Sequence, residues 1–388
     1  MDGALVRQSM HNICPPKKRI RVLECIRQGQ IGGGESHLLS LIENLDTSRF
    51  EPTVLSFTDG PMIDKLNSMG VPNTVICTTR PFDITKWKQI KAFIKENEFD
   101  LIHTHGTRAA SNLIWAARSL KIPLVYTIHG WSFHQDQNWF IRKMRILGEK
   151  YLTAKTHLNI SVSKSNQLSG KQHIKSLESI VISNGIDSKR FNPDKKHTDI
   201  RRELSIPNDS ILILFIARFT SHKQPLRLIQ SFLDARKSNK DLHLLMVGDG
   251  DQKEEAILLI KKHKLEKCIT LLPFRHDVPE VLAAADIFVL PSLWEGLPIG
   301  LLEAMSMRKA VIATDVDGTS EIVKNRYNGI LIDTNDLQKS LTGALLELSS
   351  DASMRKELGS KAFDTVHEKY DALKMTRSIE DVYTSLIS

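Results

Sequence analysis

No stretch of roughly eighteen or more apolar residues occurs anywhere in the 388-residue sequence, which excludes a membrane-spanning helix. Cysteine is scarce: Cys14, Cys25, Cys77 and Cys268 lie far apart with no Cys-x-x-Cys, so they read as reduced thiols of a cytoplasmic protein. The opening "MDGALVRQSMHNICPPKKR" has no apolar h-region and is not a secretory signal. There is no low-complexity tract, no Gly-x-Gly-x-x-Gly and no Gly-Lys-Ser/Thr of a Walker loop. Aromatics make up 6% of the chain and are not interleaved with its basic residues, so a stacking platform for nucleic acid is not indicated.

What is present is the composition of a globular protein, 41% hydrophobic and 25% charged, at a length that accommodates two ordinary domains. The charge is uneven. Lys and Arg outnumber Asp and Glu by 28 to 17 over residues 1–196 (net +11), but trail them by 25 to 28 over 197–388 (net −3). The basic half suits phosphate-rich material such as anionic lipid head groups or nucleic acid, or is simply a solvated surface.

Short apolar runs alternate with amphipathic stretches. Residues 20–26, 53–57, 73–77, 101–103, 124–128, 158–162 and 180–182 are expected strands, with helices between them, for example 34–45, 63–69, 84–96 and 109–120. This rhythm implies a parallel sheet covered on both faces. "SNGIDSKRFNPDKKHTD" (183–199) reads as a linker, and a second series starts at 211–217 and continues through 242–247, 269–272, 287–290, 310–313 and 329–332. The expectation is α/β: two facing, doubly wound Rossmann-like domains, with ligands beyond the carboxyl ends of the strands.

Gly32, Gly33 and Gly34 fall between the first strand and the first helix. Bare backbone at a helix entrance suits an anion; a tight turn with close helix–strand packing is the alternative. The sharper signal is "ADIFVLPSLWEGLPIGLLEAMSMRKAVIATDVDGTSEIV" (285–323). A strand, a loop and a helix with Pro298 in its first turn leave the N–H groups of Gly296 and Leu297 as unpaired donors. Glu303 lies in that helix within Leu-Leu-Glu-Ala-Met, where a carboxylate must find donors or change its ionisation. Paired ribose hydroxyls would supply them, Glu295 could bind hydroxyls of a second ring, and the helix start between the two suits a diphosphate. The plainer alternative is a surface Glu295 and a Glu303 that caps a neighbour.

The stretch resembles the signature of retaining glycosyltransferases of family 4, with Glu295 and Glu303 as its E-x7-E pair. Further landmarks follow in order: "GGGE" (32–35), "DLIHTH" (100–105), "PLVYTIHG" (123–130), "SNGID" (183–187), "ARFTSHKQ" (217–224), "VGDG" (247–250) and "PFRHDVPEVLAAADIFVLPS" (273–292). Coverage runs from about residue 18 to the end. Ala217, Pro273, Ala310 and Asp317 depart from the common pattern; Asp317 bears on the identity of the donor sugar.

The resemblance implies the GT-B architecture. It puts an acceptor-side domain at 1–190, joined by the last helix (372–388), and a donor-side domain at 191–371. It implies transfer of a sugar from a nucleotide diphosphate, UDP by family frequency, to a hydroxyl of a saccharide or lipid-linked acceptor with the anomeric configuration kept. The setting is cell-surface polysaccharide or glycolipid synthesis, on the cytoplasmic side and peripheral to the membrane. The catalytic residues implied are Glu295, His129, Arg218 and Lys223. Gly33, Gly34, Arg275, Gly296, Leu297 and Glu321 join Arg218, Lys223, Glu295 and Glu303 in donor binding, and His103 and His105 lie on the acceptor side or merely shape the cleft. No cofactor is implied. The pairs Asp249/Asp251 and Asp315/Asp317 could hold magnesium, but the family resemblance points to metal independence.

"NWFIRKMRILGEKYL" (138–152) puts Phe140, Met144, Leu147 and Tyr151 on one helical face and Arg142, Lys143, Arg145 and Lys150 elsewhere; such a helix either lies on an anionic membrane or packs on the sheet. Two rival functions remain: a sugar-nucleotide epimerase or hydrolase on the same architecture, and a non-catalytic carbohydrate-, nucleic-acid- or membrane-binding module. The acid pair would repel a phosphate backbone, so nucleic acid is not an expected partner.

Overall fold

The computed structural model describes residues 18–29, 32–134 and 137–387; the expectations for Cys14 and for the leader lie outside them. The first sheet contains β1 (Ile20–Ile26), β2 (Phe50–Ser56), β3 (Asn73–Val75), β4 (Leu101–His105), β5 (Leu124–Ile128), β6 (Leu158–Ser161) and β7 (Ile180–Val181). The second contains β8 (Ile211–Ile216), β9 (Leu242–Val247), β10 (Ile269–Leu272), β11 (Ile287–Leu290), β12 (Ala310–Thr314) and β13 (Ile330–Ile332). Every strand pair is parallel. The spatial orders are β3-β2-β1-β4-β5-β6-β7 and β10-β9-β8-β11-β12-β13.

Both orders reverse direction once, between β1 and β4 and between β8 and β11. At such a switch point adjacent strands send their connections to opposite faces and leave a crevice at their carboxyl ends. The strands have continuous apolar runs because both faces are covered: β9 is buried at every position and β11 likewise. Separate apolar clusters fill the two faces of the second sheet.

The helix Ala372–Ile387 packs on the first sheet. Its Met375, Ile379, Val382 and Tyr383 share a core with Val22, Leu41, Phe50, Leu101 and Val125. The two crossings between the sheets pair with each other, Ile186 N–H donating to Tyr370 O (2.8 Å) and Ala372 N–H to Ile186 O (3.2 Å). Small shifts separate these elements from the sequence expectations. The helix expected from 84 begins at Trp87, because Phe82 has a left-handed φ of 53° and Asp83 accepts from Thr85 to hold a turn. Pro298 is the cap of the helix Ile299–Ser306 rather than a residue of its first turn.

Candidate functional site

The first wall of the crevice follows β1, β4 and β5. The helix Gly33–Asn44 starts directly after the β1 loop with Gly32 as its cap. Each glycine of the triplet has a different reason. A Cβ on Gly32 would lie 3.0 Å from the Glu35 carboxylate, which folds back over the helix start. A Cβ on Gly34 would make ordinary contacts, 3.6 Å from His129 and Ile26. A Cβ on Gly33 would meet nothing within 4 Å among the described residues. Close helix–strand packing therefore does not account for the bare backbone at 33.

Glu35 is buried, and burial pushes its carboxyl up to about 7 against the pull of backbone N–H groups and of Arg218. Behind it lies a cluster of imidazoles. His103 and His105 share a face of β4 by strand alternation, and the β1/β4 register sets Glu24 opposite His103. His105 Nε2 lies 2.9 Å from Glu24 Oε2, and His105 Nδ1 lies 3.1 Å from His129 Nε2. His37 Nδ1 lies 2.9 Å from Asn184 Oδ1, and its buried Nε2 has no partner. Burial, with mutual repulsion, lowers His37 to about 3, His105 to about 4 and His129 well below the imidazole range, so all three are neutral near pH 7.

The second wall follows β8 and β11. Arg218 is exposed, and its guanidinium has no ion pair or hydrogen bond among the described residues. Lys223 Nζ is paired with Glu295. The N–H groups of Gly296 and Leu297 donate to no acceptor among the described residues, whereas their carbonyls accept from Ser163 Oγ (2.9 Å) and Asn184 Nδ2 (2.9 Å). The Glu303 carboxyl, one turn into the helix, has no hydrogen-bond partner among the described residues. Burial raises its carboxyl to about 7, opposed only by Arg190.

The walls touch at one level. A Cβ on Gly296 would collide with the His129 carbonyl oxygen, so only glycine permits that approach. Two residues before Gly296, Trp294 is stacked against His134 and His222, with ring centroids 3.6 and 4.1 Å away and planes within 9°.

The structure thus brings together Gly33, Gly34, His129, His103 and His105 on one side, and Arg218, Lys223, Glu295, Gly296, Leu297 and Glu303 on the other. Two of the sequence candidates are engaged elsewhere. Arg275 spends its guanidinium on Asp277 and Glu203, at 2.5–3.3 Å. Glu321 accepts from the backbone N–H groups of Lys164 and Ser165, capping a first-sheet helix from the second sheet's side. Sequence reasoning passed over Glu24, Glu35, His37, Asn184, Trp294 and Tyr383. A carboxylate amid the apolar run of β1 was a usable signal for Glu24; Glu35, Asn184 and Trp294 lie inside the landmark stretches 32–35, 183–187 and 285–323 without having been singled out, and nothing local marked His37 or Tyr383.

Two doubly wound sheets whose switch points face each other across a crevice, with unpaired cation and helix-mouth donors on one wall and open backbone on the other, define a GT-B-type nucleotide-sugar transferase. Residues 31–190 match the profile of glycosyltransferase family 4 and residues 196–365 that of glycosyl transferases group 1. The chain belongs to this family of retaining glycosyltransferases.

It is 26% identical over 372 residues to the Escherichia coli UDP-Gal:alpha-D-GlcNAc-diphosphoundecaprenol alpha-1,3-galactosyltransferase, covering 92% of this chain and 95% of that one. It is 29% identical over 315 residues to the Campylobacter jejuni N,N'-diacetylbacillosaminyl-diphospho-undecaprenol alpha-1,3-N-acetylgalactosaminyltransferase, covering 77% and 82%. Among solved structures, HepE of Anabaena with UDP-glucose shares the fold at a TM-score of 0.83 and 22% identity, over 95% of this chain and 100% of that one. WaaG, a glycosyltransferase involved in lipopolysaccharide biosynthesis, does so at 0.75 and 17%, over 93% and 99%.

Proposed function

We propose that this glycosyltransferase takes its sugar from a UDP-sugar and delivers it to a lipid-linked saccharide at the cytoplasmic face of a membrane. The observations that carry the donor side are an Arg218 guanidinium with no partner among the described residues, close enough to lower the Glu35 carboxyl of the opposite wall, and open space beside Gly33 two residues earlier. In this reading Arg218 and Lys223 hold the diphosphate, with the N–H groups of Gly296 and Leu297 beside them and Gly33 and Gly34 closing from the other wall. Glu303 accepts from the ribose hydroxyls, and Glu295 orients the sugar through the Lys223 pair. Arg275 and Glu321 act as braces of the donor pocket. His129 stands by the reacting centre, backed by His103 and His105. Residues 191–371 form the donor side; 1–190 with the last helix form the acceptor side.

The C1–oxygen bond to the β-phosphate breaks, the pair of electrons leaves on the diphosphate, and the cations stabilise that charge. The acceptor hydroxyl adds on the same face of the oxocarbenium-like centre. Addition on the face the diphosphate leaves preserves the anomeric configuration, and the hydroxyl proton passes to the departing phosphate oxygen. An epimerase or hydrolase on this fold would instead release free sugar and nucleotide without acceptor.

Glu303 gives the donor reading a pH signature. With its carboxyl at about 7, it is mostly protonated at pH 6 and ionised at pH 8. The ionised form accepts from both hydroxyls far more strongly than the protonated acid, so the Glu303 contribution raises donor affinity by up to about tenfold across that interval. Glu35, also near 7, works in the opposite direction by partly neutralising Arg218. Glu303→Gln therefore weakens donor binding and removes or reverses the rise. Calorimetric titration with UDP-sugar checks this; the same upward slope in Glu303→Gln as in wild type would refute the assignment.

The acceptor side is supported by the helix Trp139–Lys155. It buries Glu149, Leu152 and Thr153, while Trp139, Phe140, Met144, Leu147 and Tyr151 remain 46–71% exposed beside its basic residues. Packing on the sheet thus uses only a narrow stripe of it. An aromatic groove of about 600 Å³, lined by Phe82, Trp87, Ile114, Trp115, Arg118 and Tyr151, continues that apolar face. No described helix is long and apolar enough to cross a membrane, so contact would be peripheral. The protein should co-sediment with vesicles containing phosphatidylglycerol, less so with purely zwitterionic ones, and Met144→Glu with Leu147→Glu should release it. Undiminished binding of that double variant would contradict the reading.

A further inference from the structure

The buried acid behind the imidazole cluster has a consequence for the proton on His129. Glu24 is wholly buried in β1; Oε1 takes one donor, and Oε2 takes His105 with His103 Nδ1 a further 3.3 Å away. Tyr383, on the last helix, donates its O–H to Oε1 at 2.5 Å, and His105 donates from Nε2 to Oε2 at 2.9 Å. Tyr383 in turn accepts from His103 Nδ1 at 2.5 Å, and His103 Nε2 accepts from Thr127 Oγ1 at 2.7 Å. Burial alone would raise the Glu24 carboxyl, but His103 and His105 outweigh it and hold the group well below the usual range.

An ionised carboxylate only accepts. His105 must therefore carry its proton on Nε2, and as a neutral ring it has a bare Nδ1. That nitrogen lies 3.1 Å from His129 Nε2, which must then carry the proton of the second ring. His129 Nδ1 is left as a lone pair, with no partner among the described residues.

We propose that Glu24 and His105 are positioning residues that fix His129 in its Nε2–H form, so that Nδ1 can accept a hydrogen bond from a hydroxyl of the sugar substrate. This rests on His129 standing at the reacting centre. A bare nitrogen repels a phosphate oxygen and attracts a hydroxyl, so the relay also sets which substrate group faces it. A second arrangement of the same atoms competes. Ring nitrogens of His37, His105 and His129 lie within 4.8 Å of one another, close enough to hold a divalent ion. That arrangement would need His129 protonated on Nδ1, where no described group accepts.

Glu24→Gln separates the possibilities. With the Thr127 hydroxyl still donating to His103 Nε2, His103 keeps its Nδ1 proton, Tyr383 accepts from it and donates to position 24, and the introduced amide turns its carbonyl to Tyr383 and its NH₂ to His105. His105 Nε2 becomes an acceptor, Nδ1 gains the proton, and His129 is forced to Nδ1–H. Nitrogen-15 spectra of histidine-labelled protein read these tautomers directly. The expected results are an Nε2–H signal for His129 in wild type, an Nδ1–H signal in Glu24→Gln, and a fall in kcat of about 10²-fold with little change in KM for the acceptor.

Thr127→Val also removes a buried hydrogen bond but lies outside the relay, so it should lose thermal stability and keep the wild-type His129 signal. Three results overturn the proposal: an Nδ1–H His129 in wild type, an unchanged tautomer in folded Glu24→Gln, or one tightly bound metal ion per chain as purified. His129→Ala keeps the two levels apart. If it is fully active, the reading of His129 itself falls. If it is inactive while Glu24→Gln turns over normally, only the relay falls.

Discussion

Replacing Arg218 with alanine should lower kcat/KM for the nucleotide-sugar by about 10²–10³-fold, the scale of removing one oriented donor to developing negative charge. Lys223 cannot substitute, because in the free enzyme its charge is already paired with Glu295. Arg218 carries the charge on this wall that no carboxylate contacts among the described residues, and it reaches far enough to lower the Glu35 carboxyl across the crevice. Arg218→Lys keeps the charge but loses the planar fork, so it should fall between the two, about tenfold below wild type. Because the side chain is exposed and unpaired, neither variant should change the thermal midpoint by more than a degree or two. Steady-state kinetics with varied donor decide this; Arg218→Ala within threefold of wild type would remove the diphosphate from that side chain.

The second large effect belongs to Gly33. Valine there should weaken donor binding by about 10²-fold, or roughly 2.7 kcal/mol, while leaving the folded protein intact. Beyond the adjoining helix backbone, no atom of the described residues lies within 4 Å of the added Cβ, and a helix start accommodates other residues at least as well as glycine. The loss must then come from what occupies the crevice. Gly296→Ala is the contrasting case, since its Cβ would collide with the His129 carbonyl. It should lose stability as well as activity, by about 1–3 kcal/mol as for other overpacked sites. A thermal-shift series with and without UDP-sugar distinguishes the two. If Gly33→Val binds donor as wild type does, the open backbone has no ligand to serve.

The architecture was legible because parallel strands buried on both faces leave an apolar signature. Runs such as "ILILFIA" and "IFVL" emerge as β8 and β11, and the pause at 183–199 separates the two sheets. Edges were less legible: β3 stops at Val75, short of the expected 77, since an edge strand has neighbours on one side only. What the sequence could not reveal is contact between segments far apart in the chain. Tyr383 meets Glu24 across 359 positions, Asn184 bridges His37 to the Leu297 carbonyl, and Gly296 lies on His129. None of these leaves a local spacing. The same holds for Arg275 and Glu321, whose partners Glu203 and Lys164 come from other elements and tie them up as braces.

The most direct test is a crystal structure of the enzyme with an intact UDP-sugar or a non-transferable analogue. The predicted result has the diphosphate within hydrogen-bond distance of the Arg218 guanidinium and the N–H groups of Gly296 and Leu297, its distal side against the Gly33 backbone, and the ribose on Glu303. A diphosphate lodged outside the crevice, with Arg218 still unpaired, would contradict the account.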